Sequence, residues 1–247
     1  MGVAPLPPGP GRSLSGAGPV ADGGDVQHVP APSALALQLD ELGGSARGHL
    51  AAAHEGREAA LRACREVIRT CGSAIRAVHR HDPAGASRLR DEAGEALRAA
   101  QTAMAPFPRL AAAGFLHDAE KEYAEAHLTA SLVAGGAVPG PDDLDVSVAA
   151  WLNGMAEAAS ELRRHLLDQL RVGRTDEAVA LVEAMGDCYD VLVTIDFPDA
   201  VTGGLRRATD ALRAVLERSR SDVTTTVLQQ RLQASIDGLA RRLGDAG

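Results

Sequence analysis

Two pairs of carboxylates stand out by their spacing. Glu122 and Glu125 lie three residues apart, and Glu157 and Glu161 four apart. On helices, each pair occupies one face. Packed face to face, two such helices would bring four carboxylates together. Like charges that close stay ionised only when a cation neutralises them. Oxygen-only donors favour a hard ion, Mg²⁺ or Mn²⁺. Such an ion lowers the pKa of water and stabilises phosphoryl oxygens during an in-line displacement. The segment Trp151-Leu-Asn-Gly-Met-Ala-Glu157-Ala-Ala-Ser-Glu161-Leu surrounds the second pair with small and apolar residues. That face therefore reads as partly buried. Two ordinary acidic surface faces would carry the same spacing, because Glu is common on helix surfaces.

A second constellation is basic. Arg62, Arg65, Arg69, Arg76 and Arg80 are spaced 3, 4, 7 and 4, and Arg57 extends the row loosely. On a helix they share one face. The planar guanidinium fork grips phosphate with two hydrogen bonds. A row of such groups can follow a phosphodiester backbone without reading its sequence. A solvated face paired with neighbouring acids has the same pattern.

Other chemistries find no support. A ferritin-like di-iron centre wants Glu-x-x-His on two helices. Here Glu122 is followed at +3 by Glu125 and Glu161 by Arg164. His165, one turn beyond Glu161, reads as a partner of that carboxylate or, more simply, a capping or surface residue. His117 and His127 flank the first pair without ligand spacing to each other. There is no glycine-rich phosphate loop and no nucleophile elbow. Cys64, Cys71 and Cys188 form no CxxC pair, which argues against a disulfide framework or a structural zinc site.

The elements that must position these groups are helices. The 247 residues are 45% hydrophobic but only 2% aromatic. Ala, Leu, Arg and Glu dominate, so sandwiches, barrels and base-stacking platforms are disfavoured. Residues 1–32 hold seven Pro and seven Gly and read as a disordered tail. Residues 33–247 read as one all-α bundle of about seven helices. A helix over 33–53 should be interrupted at Gly43-Gly44. The next, over 55–81, shows an apolar stripe of Leu61, Cys64, Ile68, Cys71, Ile75 and Val78, and Asp82-Pro83 ends it. Further helices are expected over 84–104, 109–134, 144–172 and 175–195. A last one runs over 199–243, with a bend near 219–222. No run is apolar enough for a membrane span, and no signal-peptide core is present, so a soluble cytoplasmic protein is expected. Net charge is −8. Residues 62–80 carry +4 and residues 116–201 carry −12. A basic helix thus sits in a chain with a strongly acidic middle.

These motifs together resemble the translin family. His54-Glu-Gly-Arg57, Leu61-Arg-Ala-Cys-Arg65-Glu-Val-Ile68 and Ile75-Arg-Ala-Val-His79-Arg80 resemble its arginine-bearing helix, closer to the Trax branch than to translin itself. Phe115 with Glu122-Tyr-Ala-Glu125-Ala resembles a second signature helix. Leu152-Asn-Gly-Met-Ala-Glu157-Ala-Ala-Ser-Glu161-Leu-Arg-Arg resembles a third, followed by the turn Gly173-Arg-Thr-Asp. The segment from Asp196 to Asp210 is similar to the form found in prokaryotic members. The resemblance implies a seven-helix fold and a closed homo-oligomer, typically an octamer, enclosing single-stranded RNA or DNA. For Trax-type chains it also implies Mg²⁺-dependent endoribonuclease activity. The family's catalytic and metal-holding acids fall on Glu122, Glu125, Glu157 and Glu161. Phosphate contacts would fall on Arg62, Arg65, Arg69, Arg76 and Arg80. Two rival expectations remain: a non-catalytic nucleic-acid-binding oligomer on the same fold, and a structural bundle whose arginines pair with the acidic middle helices.

Overall fold

The computed structural model describes residues 33–111 and 114–244. The expected tail over residues 1–32 lies outside them. Every regular element among the described residues is a helix. In chain order these are α1 (Ala34–His79), α2 (Pro83–Met104), α3 (Pro108–Ala111), α4 (Phe115–Ala134) and α5 (Pro141–Leu144). They are followed by α6 (Val148–Arg171), α7 (Thr175–Leu192), α8 (Asp199–Thr202) and α9 (Leu205–Gly244). None is long and apolar enough to cross a membrane.

Local chemistry sets most boundaries. Asp82 caps α2, accepting a hydrogen bond from the Gly85 amide at 2.9 Å, with Pro83 in the first turn. Ser147 caps α6 through the Ala150 amide. Gly135 ends α4 in the left-handed conformation, at φ 63°.

Several expectations are corrected. α1 does not stop at Gly43-Gly44. Glycine weakens a helix but keeps its amide, so the hydrogen-bond ladder survives where proline would break it. α9 is unbroken through 219–222, where the Ser219 hydroxyl donates to the Val215 carbonyl. α7 ends at Leu192, and Val193–Ile195 form hydrogen-bonded turns instead. Short helices α3, α5 and α8 precede three of the expected long ones.

The chain divides into two units, residues 1–46 and 47–247. In the first, the described residues are the opening turns of α1, with Leu35, Leu37, Leu39 and Leu42 exposed. The second holds the packed core. There α1 buries Ala60, Cys64, Val67, Cys71, Ala74, Ile75 and Val78. The stripe is thus turned from the expected one, with Val67 inside and Ile68 39% exposed. The reason is that alanines, not branched residues, face the neighbours. Ala93, Ala100, Ala119 and Ala126 pack against this face. A second cluster joins α4 and α6 through Ala124, Ala156, Ala158, Ala159 and Leu128. A third joins α6, α7 and α9 through Leu162, Leu166, Met185 and Leu216. Small side chains allow close helix approach, and that approach carries the site.

Candidate metal and nucleic-acid site

α4 packs more extensively on α6 than on any other helix. Gly154 makes this possible. A Cβ there would stand 2.8 Å from the Lys121 carbonyl, 2.9 Å from the Ala124 methyl and 3.0 Å from the Glu125 amide. No side chain fits at such distances, so the glycine lets two backbones meet. One turn beyond Gly154, α6 presents Glu157 toward α4. Donor atoms of Glu122, Glu125 and Glu157 consequently lie within 4.8 Å of one another. These three carboxylates could hold a metal ion.

The three acids differ in environment. Glu125 is buried. Burial, then the neighbouring charges of Glu122 and Glu157, push its pKa up to about 9. In the absence of a cation it is therefore a neutral acid, hydrogen-bonded to Glu157. Burial also raises Glu122, and Lys121 opposes that shift. The Glu157 side chain is 40% exposed.

The fourth acid behaves otherwise. Glu161 is one turn further along α6 and is not part of the three-carboxylate cluster. Its Oε2 lies 2.9 Å from Nε2 of His79, whose side chain is almost wholly buried. That hydrogen bond holds the Glu161 pKa below the usual carboxylate range. The same helix face of α6 thus carries one carboxylate in a shared acidic cluster and one on an imidazole.

Three contributors escaped the sequence reading. Lys121 is the chain's single lysine. Its ammonium lies 2.7 and 2.9 Å from the two Glu157 oxygens and 3.5 Å from Glu122. A lone lysine among 24 arginines, set between Glu120 and Glu122, is the signal that could have found it. His79 sits inside a quoted motif, but its partner is 82 residues away in sequence. Gly154 likewise shows its purpose only against α4. His165 does not meet Glu161 and is not at the surface: it is buried and bonded to Gln169 at 3.1 Å. His117 lies over Gly203, where an added Cβ would come within 2.8 Å of its ring. His127 is half-buried against Tyr123, and desolvation lowers its pKa to about 4.

The arginine row is fully displayed. Arg62, Arg65, Arg69 and Arg76 are exposed on α1, and Arg80 is exposed in the turn just past its end. Arg69 pairs with Glu66 of its own helix, and Arg76 bonds Ser73 at 2.9 Å. Among the described residues, no arginine of the row forms an ion pair with the acids of the middle helices. The arrangement expected of a purely structural bundle is thus not seen. From Arg62 to Arg80 the row spans roughly 27 Å of helix.

No family-wide sequence profile matches the chain. An uncharacterized protein of Methanocaldococcus jannaschii is 27% identical over 201 residues, covering 81% of this chain and 88% of its own. Among solved structures, AfC3PO in complex with duplex RNA is 30% identical, with TM-score 0.69, over 75% of this chain and 96% of that one. The crystal structure of AfC3PO is 29% identical, with TM-score 0.70, over 75% of this chain and 97% of that one. Apo-NeC3PO, 18% identical at TM-score 0.66 over 76% of this chain and 96% of its own, shares the fold. With the signature acids on α4 and α6 and the arginine row on α1, these relatives show that the chain belongs to the translin family, which includes the C3PO proteins.

Proposed function

We propose that this chain binds RNA along the α1 arginine row and cleaves single-stranded RNA at the α4–α6 acidic cluster, using Mg²⁺ or Mn²⁺. The observation that carries the reading is the convergence of Glu122, Glu125 and Glu157 within 4.8 Å. Their all-oxygen donor set fits a hard divalent cation. Buried Glu125, neutral without a cation, is the group such an ion would ionise. A structure of AfC3PO in complex with duplex RNA supports RNA as the polymer.

When bound, the cation would neutralise charge on the scissile phosphate and lower the pKa of the attacking water. The chain's own groups divide the remaining work. Glu122, Glu125 and Glu157 would hold the cation. Glu161, kept ionised and oriented by His79, orients water at the edge of the cluster. Lys121 fixes a positive charge beside Glu157 that a phosphate oxygen can share. Arg62, Arg65, Arg69, Arg76 and Arg80 hold successive phosphates by charge, not sequence. Assembly into a closed homo-oligomer would gather these rows on one inner surface and leave the acidic faces outside, reconciling the −8 net charge with an anionic ligand.

One observation favours a second reading. Lys121 already neutralises Glu157 from within, so the cluster can persist without metal, as a non-catalytic binder requires. Incubating purified protein with labelled single-stranded and duplex RNA, in Mg²⁺ and in EDTA, separates the two. Mg²⁺-dependent products that vanish in Glu125→Gln and Glu161→Ala, with retardation kept, support the nuclease. Retardation without products, in folded protein, replaces it by the binder.

A further inference from the structure

One turn past Glu161, α6 leaves the acidic cluster and borders a cavity of about 570 Å³. Leu132, Val133 and Leu181 form its apolar wall, and His81, His165, Gln169, Arg174 and Glu177 its polar one. His165 and Gln169 are only 7% and 4% exposed. Their facing nitrogens lie 3.1 Å apart. The other polar atom of each, Nδ1 of His165 and Oε1 of Gln169, has no hydrogen-bond partner. Buried polar atoms without partners are costly, and both belong to residues that line this cavity, although each atom is itself covered. His81 adds to this. It holds a left-handed φ of 57°, unusual for a residue with a side chain. That turn sets its ring 5.2 Å from the ring of His165.

A second cavity of about 280 Å³ adjoins the first, sharing His81, Gln169 and Arg174 and adding Arg171 and Asp168. Asp168 pairs with Arg171 at 3.3 Å. Arg174 is exposed and makes no ion pair among the described residues. A compartment with an apolar wall, bordered by an amide whose oxygen is unpartnered, thus adjoins one bearing an available guanidinium. The volume is that of an organic ligand; a bare ion would leave the apolar wall uncovered.

We propose that the paired cavities bind a nucleotide. The base lies on the Leu132–Leu181 wall, and its edge meets the His165 and Gln169 side chains, whose covered, unpartnered Nδ1 and Oε1 turn to it on binding. Its phosphate meets the fork of Arg174. The proposal deepens the ribonuclease reading and rests on it for purpose: His165 is about 6 Å along α6 from Glu161, where the cavity would hold a base of the strand presented to the acids. Base selection would then belong to this pocket, since the arginine row reads only phosphate.

Titrating the full chain with each of the four nucleoside 5′-monophosphates in EDTA, by calorimetry, tests this without the acidic cluster taking part. Saturable binding of at least one nucleotide is expected, with ribose 5-phosphate at least tenfold weaker. Gln169→Leu should weaken the nucleotide at least tenfold. Arg174→Ala, at an exposed position that leaves the core intact, should weaken it at least fivefold. No saturable binding to folded protein overturns the proposal. So does equal affinity for ribose 5-phosphate, or binding unchanged in Arg174→Ala. Nucleotide binding by a chain that never cleaves RNA keeps the pocket and removes the nuclease; cleavage without nucleotide binding does the reverse.

Discussion

The acidic cluster on α4 and α6 and the arginine row on α1 are both charged stripes at helical spacing, yet they are built in opposite ways. The acids are buried or half-buried and mutually dependent: Gly154 lets the helices meet, Lys121 neutralises Glu157, and Glu125 stays neutral because it is buried beside charged neighbours. The arginines are exposed, and where they have partners these lie within α1. Charge brought together inside a fold needs a specific geometry and fails as a unit. Charge spread along a surface acts as a sum, with each member worth little.

That contrast predicts a graded set of effects. The largest belongs to Gly154. In Gly154→Val, the new side chain meets α4 backbone already 2.8–3.0 Å from the first added carbon. The helices must part, at a cost of about 3 kcal/mol or more. Thermal unfolding should show a loss of many degrees, and Mg²⁺ should no longer raise the melting temperature. A variant as stable as the parent would mean the acids are not assembled by close packing.

The next effect is a pH dependence in EDTA. Folded Glu125 keeps its proton to about pH 9, whereas an ordinary carboxyl loses it near 4.5. Between these values the folded state holds the extra proton, so stability falls as pH rises, by at most about 1.4 kcal/mol per unit. Glu125→Gln cannot ionise and should flatten this slope, becoming more stable than the parent at pH 8–9. Denaturant midpoints across pH 5–9 measure it. In the parent protein, Mg²⁺ should release a proton on binding and bind more tightly as pH rises.

Lys121→Met comes next. Removing the ammonium leaves the cluster's negative charge unopposed, so the variant should lose about 1–2 kcal/mol in EDTA. Mg²⁺ should then restore it, with a larger rise in melting temperature than in the parent. An unchanged response would show that Lys121 and the cation do not compete for Glu157.

The smallest effects lie on α1. Arg62→Ala or Arg65→Ala alone should leave stability within about 0.5 kcal/mol. Each should reduce the salt dependence of single-stranded RNA binding by about 0.7 in log–log slope. Losses should add across the row and be the same for all sequences. A single arginine whose removal abolishes binding would turn the additive surface into a specific site.

The two regions also differ in how far they could be read from residues alone. Four of the five arginines lie exposed on the helix their spacing predicts, with Arg80 exposed just past its end, because an exposed face needs only the helical period. Of the four acids, three converge and the fourth turns to His79, a choice made by a contact 82 residues distant. Ile68 illustrates the same limit: its spacing fitted the apolar stripe, but alanines on the neighbouring helices drew Val67 inward instead.

The sequence by itself determined that the chain is helical, since alanine- and leucine-rich periodic runs with few aromatics suit no other architecture. It also determined which stretches carry acid and which carry arginine, and most helix ends, because capping residues and prolines act within a few positions. Tertiary structure alone decided that Gly154 is a point of backbone contact, that Lys121 is a counter-cation, and that His165 and Gln169 line a cavity with unpaired polar atoms. Those are properties of distances between helices. Helical periodicity fixes the direction in which a side chain leaves its own axis; only packing fixes what it meets there.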